Sequence, residues 1–103
     1  MATLHVHLQD GFVGEPVTVR VGPRVALERT DVKTRPQLGL AARGELPDVA
    51  TGPQTVSVTL PARSERVHEL QVEVSEPVTY LGLSVDDSGT ITHRISTQTF
   101  GYL

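Results

Sequence analysis

The chain reads as all-β: a single domain, residues 1–103, folded as a two-sheet sandwich of seven or eight short, mostly antiparallel strands. Three observations predict this. Apolar and polar residues alternate with a period of two in segment after segment, the pattern of a sheet with one face on a core and one in water. Turn residues recur roughly every 8–12 positions, the spacing of sandwich strands. Finally, no segment carries the apolar stripe of an amphipathic helix; the best candidate, "PQLGLAARGEL", holds two glycines that weaken it.

Taken in order, "TLHVHL" puts Leu4, Val6 and Leu8 on one face and His5 and His7 on the other. "DGFVGEP" supplies the turn that follows. "VTVRV" aligns Val17, Val19 and Val21 against Thr18 and Arg20, and Gly22-Pro23 breaks it. Residues 29–53 carry only a weak strand pattern, "LGLA", and read as a long connection or an edge strand. "TVSVTL" then aligns Val56, Val58 and Leu60, and "LQVEV" aligns Leu70, Val72 and Val74. "YLGLSV" groups Leu81, Leu83 and Val85, and "TITHRI" groups Ile91, His93 and Ile95. Between the last two, "DDSG" at Asp86–Gly89 is a hairpin signal, with Gly89 free to take a positive φ.

Composition narrows the functional classes. Without cysteine there is no disulfide, thiolate nucleophile or Cys-ligated zinc. Without asparagine there is no N-glycosylation and no Lys–Asn isopeptide crosslink. The formal net charge is −3, and the basic residues are scattered, so a nucleic-acid partner is not expected. No apolar run approaches the ~20 residues that span a bilayer, and no membrane partner is expected. The opening "MATLHVHLQDG" lacks the basic and apolar regions of a secretory signal. If the chain is complete, a cytoplasmic protein is expected.

"HLQDGFVGEPVTVRV" resembles the opening strand, turn and strand of the transthyretin-like (prealbumin-like, carboxypeptidase regulatory-like) β-sandwiches, with Asp10, Gly14, Pro16 and Val17 in register. "LPDVATGPQTVSVTL" is similar to that group's approach to a central strand. Together the two stretches cover about half the chain. One branch of the group, the 5-hydroxyisourate hydrolases, opens with His-x-x-Asp, matched by His7-Leu8-Gln9-Asp10, and has a late His before an aromatic-Gly-Tyr, matched by His93 and Phe100-Gly101-Tyr102. The resemblance implies His7, Arg35 and His93 as a hydrolytic set. The branch's terminal Tyr-Arg-Gly-Ser and its central Asp-Gly-Arg turn are both missing. Alternation also sets His7 and His93 on opposite faces of their strands.

Five readings of the candidate residues follow. As polar residues of an outer strand face, His5 and His7 stay wet. As a same-face pair, they could supply two imidazoles to a metal, with His68, His93, Asp10 or Glu69 completing the set. His93, between two isoleucines, reads as half-buried. Asp86, Asp87 and Ser88 have too few oxygens for a calcium loop and suit the hairpin. The final "TFGYL" places Phe100, Tyr102 and Leu103 where an apolar tail could cover the sandwich or dock on another subunit. The function expected is therefore a non-catalytic accessory or protein-interaction module that forms a homodimer through an edge strand, with no cofactor. Its alternatives are a hydroxyisourate-type hydrolase and a His-based metal-binding protein.

Overall fold

The computed structural model describes residues 1–35, 37, 39–63 and 67–100. Eight strands form: β1 (Ala2–Leu8), β2 (Val13–Val21), β3 (Arg24–Lys33), β4 (Ala42–Val49), β5 (Gly52–Thr59), β6 (Val67–Val74), β7 (Val78–Val85) and β8 (Ile91–Ser96). They make two four-stranded sheets, β4-β1-β7-β8 and β3-β2-β5-β6. Every pairing is antiparallel except that of β1 with β7. Among the described residues no helix is long and apolar enough to cross a membrane.

The alternation in the sequence is what closes the sandwich. Leu4, Val6 and Leu8 from β1 and Leu81 and Leu83 from β7 are fully buried on one inner face. Val17 and Val19 from β2, Val56 and Val58 from β5 and Val72 from β6 are fully buried on the other. Burying such side chains in two interdigitated layers is the main source of stability, at about 1.5–3 kcal/mol for each. At one side the sheets come close. A Cβ on Gly44 of β4 would lie 2.7 Å from the Ala26 carbonyl oxygen of β3, so only glycine fits there.

Residues 29–53 contain the end of β3 and the whole of β4, an edge strand on β1. The weak pattern has a physical reason. Only Leu46 and Val49 of β4 are buried, and Gly44 and Pro47 interrupt the alternation. The hairpin at Asp86 forms as its residues suggest. The Asp86 carboxylate accepts hydrogen bonds from Ser88 N, Ser88 Oγ and Thr90 N at 3.0, 2.7 and 2.9 Å. These bonds lower its pKa, that of Ser88 first, and all three fall on one oxygen, Oδ1.

A second polar element locks the loops at one end of the sandwich. The Arg63 guanidinium donates to both Glu15 oxygens, from Nε at 2.6 Å and Nη2 at 2.9 Å, and Nη2 also donates to the Gly11 carbonyl at 2.9 Å. Glu15 is buried despite its charge. The hydrogen bond from Arg63 holds its carboxyl below the ordinary range, against the opposing effect of burial. A bidentate guanidinium is the partner that makes such a buried carboxylate tolerable.

Candidate functional site

The groups of chemical interest collect on the outer face of the β4-β1-β7-β8 sheet. Register puts them in rows. In one, Arg43, His7, Gly82 and Arg94 are successive partners across β4, β1, β7 and β8. In the next, Glu45, His5, Tyr80 and Ser96 are partners in the same way. Residues paired across a sheet share a face, so side chains far apart in sequence meet here.

The rings pack into a cluster. His5 stacks on Tyr80 with centroids 4.8 Å apart. His7 meets Tyr80 edge-on at 6.0 Å and Phe100 at 5.5 Å. Phe100 and Tyr80 lie 6.3 Å apart, and the Arg94 guanidinium sits 4.4 Å above the Phe100 ring. Such contacts each contribute about 0.5–1.5 kcal/mol beyond burial. Gly82 leaves room between the rows, and the Gln9 amide fills it; Arg94 Nε donates to Gln9 Oε1 at 3.3 Å. A cavity of about 420 Å³ beside the cluster is bordered by His5, His7, Arg43, Glu45, Tyr80 and Thr99.

His7 departs from its sequence expectation. It does lie on the face opposite Leu4, Val6 and Leu8, but only 3% of it is exposed. Phe100 and Tyr80 cover it, and neither is near it in the chain. Burial pushes its pKa down, and the Arg43 and His5 charges push it the same way. Both effects favour the uncharged imidazole over the imidazolium.

His93 differs as well. It pairs with Leu83 and so has the inward parity, but β8 is the edge of its sheet and His93 is exposed. His7, Arg35 and His93 are not brought together. His7 borders the cavity described above. His93 lines one of about 230 Å³ with Gln9, Asp10, Ser84 and Thr92, and Arg35 lines one of about 410 Å³ with Asp31, Lys33 and Gln37. His68 lies at a fourth, about 400 Å³, with Leu60, Arg63 and Ile91. Among the described residues no group of three or more His, Asp or Glu side chains is placed to hold a metal ion, so His5 and His7 have no third ligand there. Of the tail residues, Phe100 joins the cluster, while Tyr102 and Leu103 lie outside the described residues.

Sequence reasoning missed Tyr80, Arg43 and Arg94. For Tyr80 a signal existed: it shares its parity with Gly82 and Ser84, opposite Leu81 and Leu83. Arg43 and Arg94 become neighbours of His7 only through strand order. No family model matches the chain, and neither a curated protein nor a solved structure matches it.

Proposed function

We propose that this chain is a transthyretin-like β-sandwich acting as a non-catalytic accessory or protein-interaction module, self-associating through a sheet edge. What supports the class is the pair of four-stranded sheets, with Asp10, Gly14 and Pro16 at the passage from β1 to β2. The observation that carries the role is a division of residues. The groups suited to hydrolysis lie in separate cavities, while the groups suited to contact, His5, Tyr80 and Phe100, share one face. Of the edge strands that expose a large apolar side chain, β3 (Val25), β6 (Val67) and β8 (Ile95), the one proposed for a second copy is β8, on the sheet that carries the contact face. It is bonded on one side only and exposes Ile95 at 42%. An unpaired edge with an exposed apolar side chain invites strand addition.

Sedimentation tests the self-association. The protein is expected to run as a dimer at about 100 µM, and Ile95→Lys to run as a monomer with its β-sheet spectrum intact. A wild-type monomer at that concentration removes the homodimer from the proposal.

One feature favours a second reading as a hydroxyisourate-type hydrolase: His7, its uncharged form favoured, and Arg43 border the same cavity. A neutral imidazole there could accept a proton from water. The module reading expects fresh uricase product to decay no faster with this protein than with its His7→Ala variant. Acceleration lost in that variant would replace the module with the enzyme.

A further inference from the structure

We propose that two copies of this chain join β8 to β8 in one antiparallel register, with the twofold axis at His93. This rests on the self-association proposed for the module and deepens it by fixing which residues meet.

The backbone decides what β8 has to offer. Neighbouring residues of a strand aim their N–H and C=O groups to opposite sides. On β7 the Leu83 carbonyl accepts from Gln9 N at 2.7 Å, and Val85 N donates to the Asp10 carbonyl at 2.9 Å, so these residues turn toward β1. Tyr80, Gly82 and Ser84 therefore turn toward β8, where their partners are Ser96, Arg94 and Thr92. The backbone groups left on the far side of β8 are those of Ile91, His93 and Ile95. β8 ends its sheet, so among the described residues no strand takes them.

These three residues are symmetric about His93. With His93 opposite His93 in an antiparallel pair, Ile91 of each copy faces Ile95 of the other, and every outward N–H and C=O of the three has a partner. Ile95, exposed although it has the inward parity, gains an apolar neighbour, and so does half-buried Ile91. On the other face Thr92 lies across from Arg94. The adjacent registers are poorer. Centring on Arg94 sets two guanidinium groups directly opposite, and like charges so placed repel. Centring on Thr92 sets Ile95 against Gly89, outside the strand.

The other edges carry the features that discourage strand addition. β3 meets β2 through repeated register shifts. β4 is interrupted by Gly44 and Pro47, and β6 exposes Glu69 and Glu73. β8 has no proline, glycine or carboxylate. The joined sheet then runs β4-β1-β7-β8-β8-β7-β1-β4, with the His5–Tyr80 faces of both copies on one side.

The full chain has no cysteine, so introduced thiols report the register. Thr92→Cys mixed with Arg94→Cys under oxidised glutathione is expected to give a disulfide-linked heterodimer. The two positions form a pair without backbone hydrogen bonds, whose Cα atoms lie about 4.5 Å apart, within bridging range. Each variant alone is expected to stay unlinked, because its two thiols stand on a diagonal of roughly 7–8 Å. Hydrogen exchange followed by NMR at about 1 mM gives a second readout that leaves Arg94 in place. The Ile91 and His93 amides are expected to exchange about tenfold or more slowly in the wild type than in Ile95→Lys, with the Thr92 and Arg94 amides protected in both. The register is overturned if either variant alone links as readily as the mixture, if the mixture does not link, or if the Ile91 and His93 amides exchange alike in wild type and Ile95→Lys. Any of these beside a dimer in sedimentation overturns the register and leaves self-association standing; a monomer in sedimentation overturns both.

Discussion

Replacing Arg63 with methionine is expected to destabilise the protein by about 2–4 kcal/mol at neutral pH. The change leaves the Glu15 carboxylate, 4% exposed, without the guanidinium that binds both its oxygens. It also removes the donor that ties Gly11 to the same loop cluster. Arg63 itself is 23% exposed, so water enters part of the gap and the loss stays below that of a wholly buried pair. The pH dependence carries a definite sign. With Arg63 present the folded-state pKa of Glu15 is depressed. Its stabilisation is complete above the ordinary carboxylate pKa and disappears as pH falls through the depressed value. The difference between wild type and variant is therefore widest near neutrality and narrows in acid. Urea titrations at about pH 7 and about pH 4 measure it. A neutral-pH difference below about 0.5 kcal/mol, or one that widens in acid, contradicts the assignment. The double variant Glu15→Gln/Arg63→Met is expected to recover part of the loss, because no charge is then stranded.

Gly11→Ala is expected to be at least as damaging, costing about 3 kcal/mol or more and lowering Tm by more than about 10 °C. The new Cβ would sit 1.7 Å from the Val85 carbonyl oxygen, a backbone atom that cannot rotate away. Neither strand end can yield freely, since Val85 N donates to the Asp10 carbonyl at 2.9 Å. The φ of Gly11 is +91°, which adds strain of its own. Gly89 separates the two causes. Its φ is +86°, and nothing lies within 4 Å of an added Cβ. Gly89→Ala therefore pays the conformational penalty alone, about 1–2 kcal/mol. Equal melting temperatures for the two variants would mean that the approach of the β1–β2 turn to β7 is not as close as described.

How much of this could be read from the chain depends on range. The paired faces of β1, β2, β5, β6 and β7 are encoded in each strand's own alternation, and the buried set Leu4, Val6, Leu8, Val17, Val19, Val56, Val58, Val72, Leu81 and Leu83 follows directly. The turn at Asp86 is equally local. β4 was obscure because an edge strand with two buried residues has little periodicity to show. The candidate site fails for a different reason. His7 is covered by Phe100 and flanked by Arg43 and Arg94, residues brought to it by strand order. Parity settles which face His7 occupies and says nothing about what lies on that face. The Glu15–Arg63 pair is hidden in the same way, its members standing 48 positions apart. His93 shows the converse: the correct parity for burial, on a strand with no neighbour beyond it to provide the burial.

The parallel union of β1 with β7 places Thr3 beside Val78 and Leu8 beside Leu83. Strand β1, whose inner face is fully buried, is thus flanked on both sides only after three quarters of the polypeptide has found its place. Assembly of that layer is a late event governed by closure of a long loop, and folding should be slow for so small a protein. Until then Leu4, Val6 and Leu8 are open to any extended chain nearby, which makes the waiting period, more than the finished sandwich, the stage at which aggregation is decided.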